Sequence, residues 1–321
     1  MKMMHKAIGS PPGLVISTDA GKGIDKAVTK LFTNGVEHRE CMRHLVKNFQ
    51  KRFRDEVFEK NLWPASRYYR QTTHDRHWNE MLKACPKATT WLMDNHKQLW
   101  ARSKFSTTSK CDYVTNNIAE TFNSWIREEK SLPVLDLMDK IRQLIMERFC
   151  TRRQLASKLS GFKVLPHVMK ELHNKSRNLN YTIHRSGPMV GEVGGVNKDL
   201  VPWRFIVDLE KKEFTCRGWQ LTGLPCVHAI AYIGIRRVEL EDFVDPYYSV
   251  EMFKAAYATV VAPMPGKEEW EKVDIGFTLL PPKCNIAVGR PRKRRLVGAE
   301  EDGSSSRGKR RCKRCGGFGH L

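Results

Sequence analysis

The chain has 321 residues, enough for about two domains and a tail, and its 40% hydrophobic content excludes a wholly disordered protein. No run approaches the about eighteen apolar residues of a membrane span, and the N-terminus MKMMHKAIGSPPG has no signal-peptide apolar stretch, so a soluble, non-secreted protein with no membrane partner is expected. The 56 Lys and Arg against 35 Asp and Glu leave +21, which favours a polyanionic partner, nucleic acid first.

Leu14-Val15-Ile16-Ser17-Thr18 is an apolar, β-branched run that ends at Asp19 and a glycine-containing turn, which predicts a buried strand with a carboxylate at its C-terminal end. Helical spacing follows in Ile24, Ala27, Val28, Leu31 and Phe32, and again from Cys41 to Phe49, so two helices joined near Asn34-Gly35 are expected. From about 50 to 160 the pattern is helical throughout, with Pro64, Pro86 and Pro133 read as helix starts or boundaries. The texture changes near Ser186-Gly187-Pro188. Strand-like Trp203–Val207, a polar hairpin turn over 208–213 and a helix from about Cys226 to Gly234 predict a small ββα module. Residues 283–321 carry twelve Lys or Arg against three acids, a net +9, with no periodicity, and are expected to be disordered. Nine cysteines, an odd number spread along the chain, are expected as thiols or metal ligands.

The most specific chemistry lies in Cys216-Arg-Gly-Trp219-Gln-Leu-Thr-Gly223-Leu-Pro225-Cys226-Val-His228. Two thiolates and an imidazole suit zinc, and a Cys-x-His pair at a turn into a helix can point two donors at one ion. The alternative is a small packed domain with ordinary core Cys and His. The segment resembles the SWIM-type zinc finger, Cys-x-Cys, a spacer, then Cys-x-His, with Phe214 where the first family cysteine falls. Zinc held by Cys216, Cys226 and His228 is what the resemblance implies.

Three further stretches resemble a Mutator-like element transposase: Ile-Ser-Thr-Asp19-Ala-Gly-Lys-Gly, Glu-His-Arg-Glu-Cys41-Met-Arg-His44-Leu, and Asn116-Asn117-Ile-Ala-Glu120-Thr-Phe-Asn-Ser-Trp125. With the finger, the resemblance covers about residues 14 to 245. It implies a ribonuclease-H-like core in which Asp19 and Glu120 match two members of an Asp, Asp, Glu triad holding magnesium for phosphodiester displacement. The first Asp has no counterpart among the eighteen residues before Asp19, so a catalytically incomplete remnant is expected. For Asp19 a helix N-cap and for Glu120 a solvated helix carboxylate are the alternative roles. Cys41 and His44 share a helix face and are read either as metal donors or as a packed Cys beside a hydrogen-bonded His.

The tail ends Cys312-Lys-Arg-Cys315-Gly-Gly-Phe318-Gly-His320-Leu, which resembles a CCHC zinc knuckle without its last cysteine and implies a weaker zinc site with Phe318 as the base-stacking aromatic. Gly289-Arg290-Pro291-Arg292 resembles the core of a minor-groove AT-hook, and with Lys293, Arg294 and Arg295 it would contact DNA. A nuclear-import signal is the alternative, and both readings imply a nuclear protein.

The sequence therefore predicts an α+β, mostly α protein. Its parts are a partial ribonuclease-H-like core with a helical insertion (14–130), a helical linker (131–185), the SWIM-type finger (186–245), a helical or irregular extension (246–282) and the basic tail (283–321). The expected function is a zinc-binding, DNA-associating transposase derivative without complete catalytic machinery. The alternatives are an active transposase, which alone would need Mg2+, and a domesticated transcription regulator.

Overall fold

The structure, a computed structural model, describes residues 1–19, 21, 23–32, 35–196, 201–271 and 276. The chain divides into a unit Met1–Met264 and a second, Pro265–Leu321. Of the second, residues 265–271 form a 3₁₀ turn at Lys267–Glu269, with Trp270 Nε1 donating to Pro265 O at 3.0 Å.

The first unit opens with helix α1 (Lys2–Ile8), which buries nothing. Strand β1 (Val15–Thr18) then pairs in parallel with β2 (Glu37–Glu40) across helix α2 (Ile24–Leu31), in register from Val15 opposite Glu37 to Thr18 opposite Glu40. The expected strand β1 is present, but only Thr18 of it is buried, Val15 and Ile16 being half-buried and Ser17 exposed. The expected direct junction of two helices is not, because β2 intervenes. Its sequence Glu-His-Arg-Glu has no apolar residue, yet Arg39 and Glu40 are each 1% exposed.

Partners from far along the chain make that burial tolerable. Arg39 donates through Nε to Glu37 at 2.5 Å, through Nη1 to Cys111 O at 2.8 Å and through Nη2 to Ser109 Oγ at 3.1 Å, and it lies 3.7 Å above the Phe105 ring. Glu40 accepts a hydrogen bond from Nδ1 of His96. Buried charge survives when paired and hydrogen-bonded, and here both conditions hold.

The helical body follows: α3 (Met42–Gln50), α4 (Glu56–Arg67), α5 (Gln71–Ala84), α6 (Pro86–Asn95), α7 (Asn117–Trp125), α8 (Val134–Lys158) and α9 (Pro166–Lys175). In α3 the buried residues Met42, Leu45, Val46 and Phe49 fall on one helical stripe. They pack with Phe58, Leu62, Met81 and Leu92 from α4, α5 and α6. Burying side chains of that size stabilises by ~1.5–3 kcal/mol each. Pro86 and Pro133 mark helix starts as expected. Pro64 does not. It lies inside α4, in its last turn, where few residues follow and the missing N–H costs one intrahelical bond.

Four antiparallel strands come next, β3 (Thr182–Arg185), β4 (Val190–Val196), β5 (Pro202–Asp208) and β6 (Glu213–Phe214), in that spatial order. Helices α10 (Gly218–Thr222), α11 (Val227–Arg236) and α12 (Val250–Ala256) complete the unit. The expected ββα module is thus larger by two strands and the short α10. Strand β4 carries three glycines, Gly191, Gly194 and Gly195. A Cβ on Gly191 would lie 2.4 Å from the Tyr232 ring and one on Gly195 2.5 Å from the Trp203 ring, so these glycines mark close ring approach within a strand. The fold is α+β and dominated by helix. Among the described residues no helix is long and apolar enough to cross a membrane.

Candidate metal centre

The β5–β6 hairpin sets the first donor. Asp208 Oδ1 accepts the Lys211 N–H at 3.0 Å in the turn, and Phe214 pairs with Val207, so the chain leaves the sheet at Cys216. Arg217 then takes a left-handed conformation (φ 62) and its N–H returns to Phe214 O at 2.8 Å, tightening the turn into α10. Gly223 ends α10 at φ 74, where a Cβ would sit 2.7 Å from that of Asp245. Both the backbone sign and the space require glycine there. Pro225 and Cys226 follow, and Cys226 is the N-cap of α11, its Sγ accepting the Ala229 N–H at 3.5 Å. His228 stands in the first turn of the same helix.

The result brings Cys216, Cys226 and His228 together, all half-buried, with their donor atoms within 4.8 Å of one another. In a tetrahedral zinc site thiolate sulfurs lie about 3.7 Å apart, so little movement is needed to seat an ion. The electrostatics suit a cation. A hydrogen bond from Cys226 draws the Cys216 thiol down to about 5 against the opposing cost of burial, with further help from His228 and the Gly218 N–H. Burial pushes the Cys226 thiol well up. Two thiols beside one another thus share a proton until a metal replaces it.

Aromatic rings wall the imidazole. Phe214 stacks on His228 at 5.0 Å and 5°, Phe205 lies at 4.8 Å, Trp203 at 5.0 Å and Tyr181 at 5.6 Å between centroids. Nδ1 of His228 is buried and lacks a hydrogen-bond partner. That orphan, the two thiols and the converging geometry fit zinc, and Phe214, 1% exposed, fills the family's first cysteine position with core packing. Sequence spacing pointed to the three donors. The ring wall was not legible, since Tyr181 lies just before β3 and Trp203 in β5, and where they face depends on the whole sheet.

The module is fastened to the helical body around Cys216. Arg217 donates to the carbonyls of Ser103 and, at 3.0 Å, Phe105. Lys110 reaches Gln220 O at 3.1 Å. Tyr69 donates to Asp112 Oδ2 at 2.8 Å, and the same oxygen takes Arg102 Nη2 at 2.9 Å.

The transposase-like motifs meet at the end of β1. The Cys41 N–H donates to Thr18 O at 2.7 Å, the Cys41 thiol donates to Asn116 Oδ1 at 3.0 Å, and Glu120 in the first turn of α7 pairs with Arg43. Asp19 is exposed and its Oδ1 accepts the Gly21 N–H at 3.3 Å, while Gly23, not Asp19, is the N-cap of α2. Cys41 is fully buried. His44 departs from the hydrogen-bonded role expected of it, since its Nδ1 is buried without a partner. Among the described residues, Cys216, Cys226 and His228 form the one cluster of three or more Cys, His, Asp or Glu donors close enough for a metal. Cys312, Cys315, His320, Phe318, Arg290, Arg292, Lys293, Arg294 and Arg295 lie outside the described residues.

Residues 205–232 match the family model of the SWIM zinc finger. No curated protein and no solved structure matches the chain. The matched segment runs from β5 through His228 into α11 and contains all three donors, so the chain carries a SWIM zinc finger segment, and zinc is the metal to which it points.

Proposed function

We propose that this chain is a nuclear, zinc-binding, DNA-associating protein derived from a Mutator-like transposase, without complete catalytic machinery. The observation that carries the zinc reading is the convergence of Cys216, Cys226 and His228 within 4.8 Å inside the SWIM segment. Zinc there would cross-link the end of the β5–β6 hairpin to the start of α11 and leave a fourth coordination position for solvent or a borrowed donor. The derivation is supported by the three motif stretches and by the parallel β1–α2–β2 unit, which an incomplete ribonuclease-H-like core would contain. Association with DNA is supported by the charge of residues 283–321, a net +9.

Two measurements test this reading. Purified protein is expected to hold zinc at one equivalent or more by elemental analysis, and zinc-free, fully folded protein would overturn the first part. For the second, log affinity for duplex DNA is expected to fall with log salt at ~0.9 per neutralised phosphate, and deleting 283–321 should flatten that slope. An unchanged slope would assign the tail to nuclear import alone.

An active transposase is the second reading, favoured by the meeting of all three motifs through Thr18, Cys41 and Asn116. Magnesium- or manganese-dependent nicking abolished by Asp19→Ala would establish it over the first.

A further inference from the structure

Cys216 and Cys226 combine access with proximity. Cys41, by contrast, is fully buried and its thiol is held by Asn116 Oδ1 at 3.0 Å, and Cys150 is exposed on α8. Cys216 and Cys226 are both half-buried, their sulfurs lie within 4.8 Å of one another, and the Cys226 thiol hydrogen-bonds to Cys216. Two sulfurs so placed can clamp a metal, and they are equally the two halves of a disulfide, which needs them at about 2.05 Å.

The backbone leaves room for that approach. Cys216 lies in the turn after β6, past the last ladder pair at Phe214, and Cys226 is the N-cap of α11 with extended backbone at φ -70 and ψ 165. Neither residue belongs to a strand ladder or a helix interior, so a closure of under about 3 Å between the sulfurs can be met by side-chain rotation and adjustment of the turn. The start of α11 also favours the chemistry. Cys226 Sγ accepts the Ala229 N–H at 3.5 Å, and a helix N-terminus stabilises thiolate over thiol. With Phe214 at the family's first cysteine position, three protein donors leave one side of a bound ion to solvent, and a small oxidant can reach the sulfurs from there.

We propose that Cys216 and Cys226 are a redox pair that closes to a disulfide on exposure to a hydroperoxide, such as hydrogen peroxide, and so discharges zinc from the module. One thiolate attacks a peroxide oxygen and the O–O bond breaks, giving a sulfenic acid and hydroxide. The other thiolate then attacks the sulfenic sulfur, forms the S–S bond and expels a second hydroxide. The two sulfurs together lose two electrons to the peroxide oxygens, and two protons from solvent turn both hydroxides into water. Disulfide sulfurs no longer carry the thiolate charge that a metal requires, so His228 is left as the single protein donor and the ion is released. The new bond joins the same ends that the metal joined, the exit of the β5–β6 hairpin and the start of α11, which keeps the module closed without an ion. The inference rests on the zinc reading above.

The test uses full-length, zinc-loaded protein carrying Cys312→Ser/Cys315→Ser, so that the tail's donors do not enter the count. Zinc content before oxidant checks the metal reading. A coloured zinc indicator then follows release during hydrogen peroxide treatment, while alkylation, trypsin digestion and mass spectrometry map the thiols. One equivalent of zinc is expected to leave for each pair of thiols lost. Cys216 and Cys226 should be recovered as a cross-linked pair of peptides, since trypsin cuts between them at Arg217. A dithiol reductant with fresh zinc should restore the starting state. Zinc that is present and stays bound through the treatment overturns the redox pair and leaves the zinc reading standing, and so does release with both sulfurs found as unlinked sulfinic acids that reductant does not reverse. A chain that holds no zinc before oxidant is added overturns the zinc reading and the release together.

Discussion

The zinc finger module and the helical body both bury histidine, and they satisfy it in opposite ways. In the module His228 faces two thiols from its own stretch of chain and is otherwise walled by aromatic rings, an arrangement that waits for a metal. In the body His96 leans on Glu40, a residue 56 positions away in sequence, and His74 donates from Nδ1 to Ala65 O at 2.8 Å. The first solution stores its cohesion in an exchangeable ion, so it depends on supply and on the protonation of its ligands. The second is permanent but requires that every partner be present when the chain folds.

The largest effect is expected from removing one donor of the module. Cys226→Ser keeps the N-cap of α11, because a serine oxygen can accept the Ala229 N–H as the thiol now does. The variant gives up a zinc ligand. Structural zinc contributes ~10–16 kcal/mol of apparent binding free energy in isolated fingers, so zinc content at this site should fall to background and the module should melt well below the wild type. Elemental analysis and thermal unfolding with and without chelator are the readouts. Full zinc retention by the serine variant would remove Cys226 from the site.

Next in size is the break in the body. Glu40→Ala leaves the His96 ring without its buried acceptor and is expected to cost ~3–5 kcal/mol, whereas Glu40→Gln, which retains a carbonyl acceptor for Nδ1, should cost about 1–2 kcal/mol. Urea denaturation separates the two. Equal losses would mean that shape, not the hydrogen bond, holds this position.

The same contrast explains what could be read from the sequence. Cys216, Cys226 and His228 were legible because their spacing is local, and helix α8 was legible as part of the helical pattern over about 50 to 160. Strand β2 was not, since four polar residues carry no apolar signal and Arg39 finds Ser109 and Cys111 about seventy residues on. The Glu40–His96 pair escaped for the same reason. Strand β4 escaped differently: Gly191, Gly194 and Gly195 interrupt its apolar pattern, and Gly191 and Gly195 lie against the rings of Tyr232 and Trp203.

Phe214→Cys sharpens the comparison by adding a donor where the module now has packing. Phe214 is 1% exposed and stacked on His228, so truncation should destabilise the metal-free protein by ~2–4 kcal/mol through the cavity it leaves. A second thiolate on this side should at the same time tighten zinc about tenfold or more by closing the coordination shell. The expected signature is a crossover, with the variant melting lower than wild type in chelator and recovering most of that loss in zinc. A variant with lowered stability and unchanged zinc affinity in chelator competition would show that position 214 does not reach the metal.

The smallest effect concerns pH, and it belongs to the body. His74 is 2% exposed, and burial lowers its pKa below the ordinary 6.5 despite the opposing hydrogen bond to Ala65. Burial lowers His38 and His77 as well. Folded His74 therefore stays neutral at a pH where the unfolded chain already takes up a proton. Its neutral form supports the fold fully above about 6.5, and that support is lost as pH falls toward the depressed folded value. One such group can steepen the stability curve by at most about 1.4 kcal/mol per pH unit. His74→Gln keeps a donor for Ala65 O and removes the titration, so its stability should fall less between pH 7 and pH 5 than that of the wild type. Both proteins are measured zinc-loaded, so that proton competition at Cys216, Cys226 and His228 cancels in the difference. Parallel curves would show that His74 titrates alike in the folded and unfolded chains.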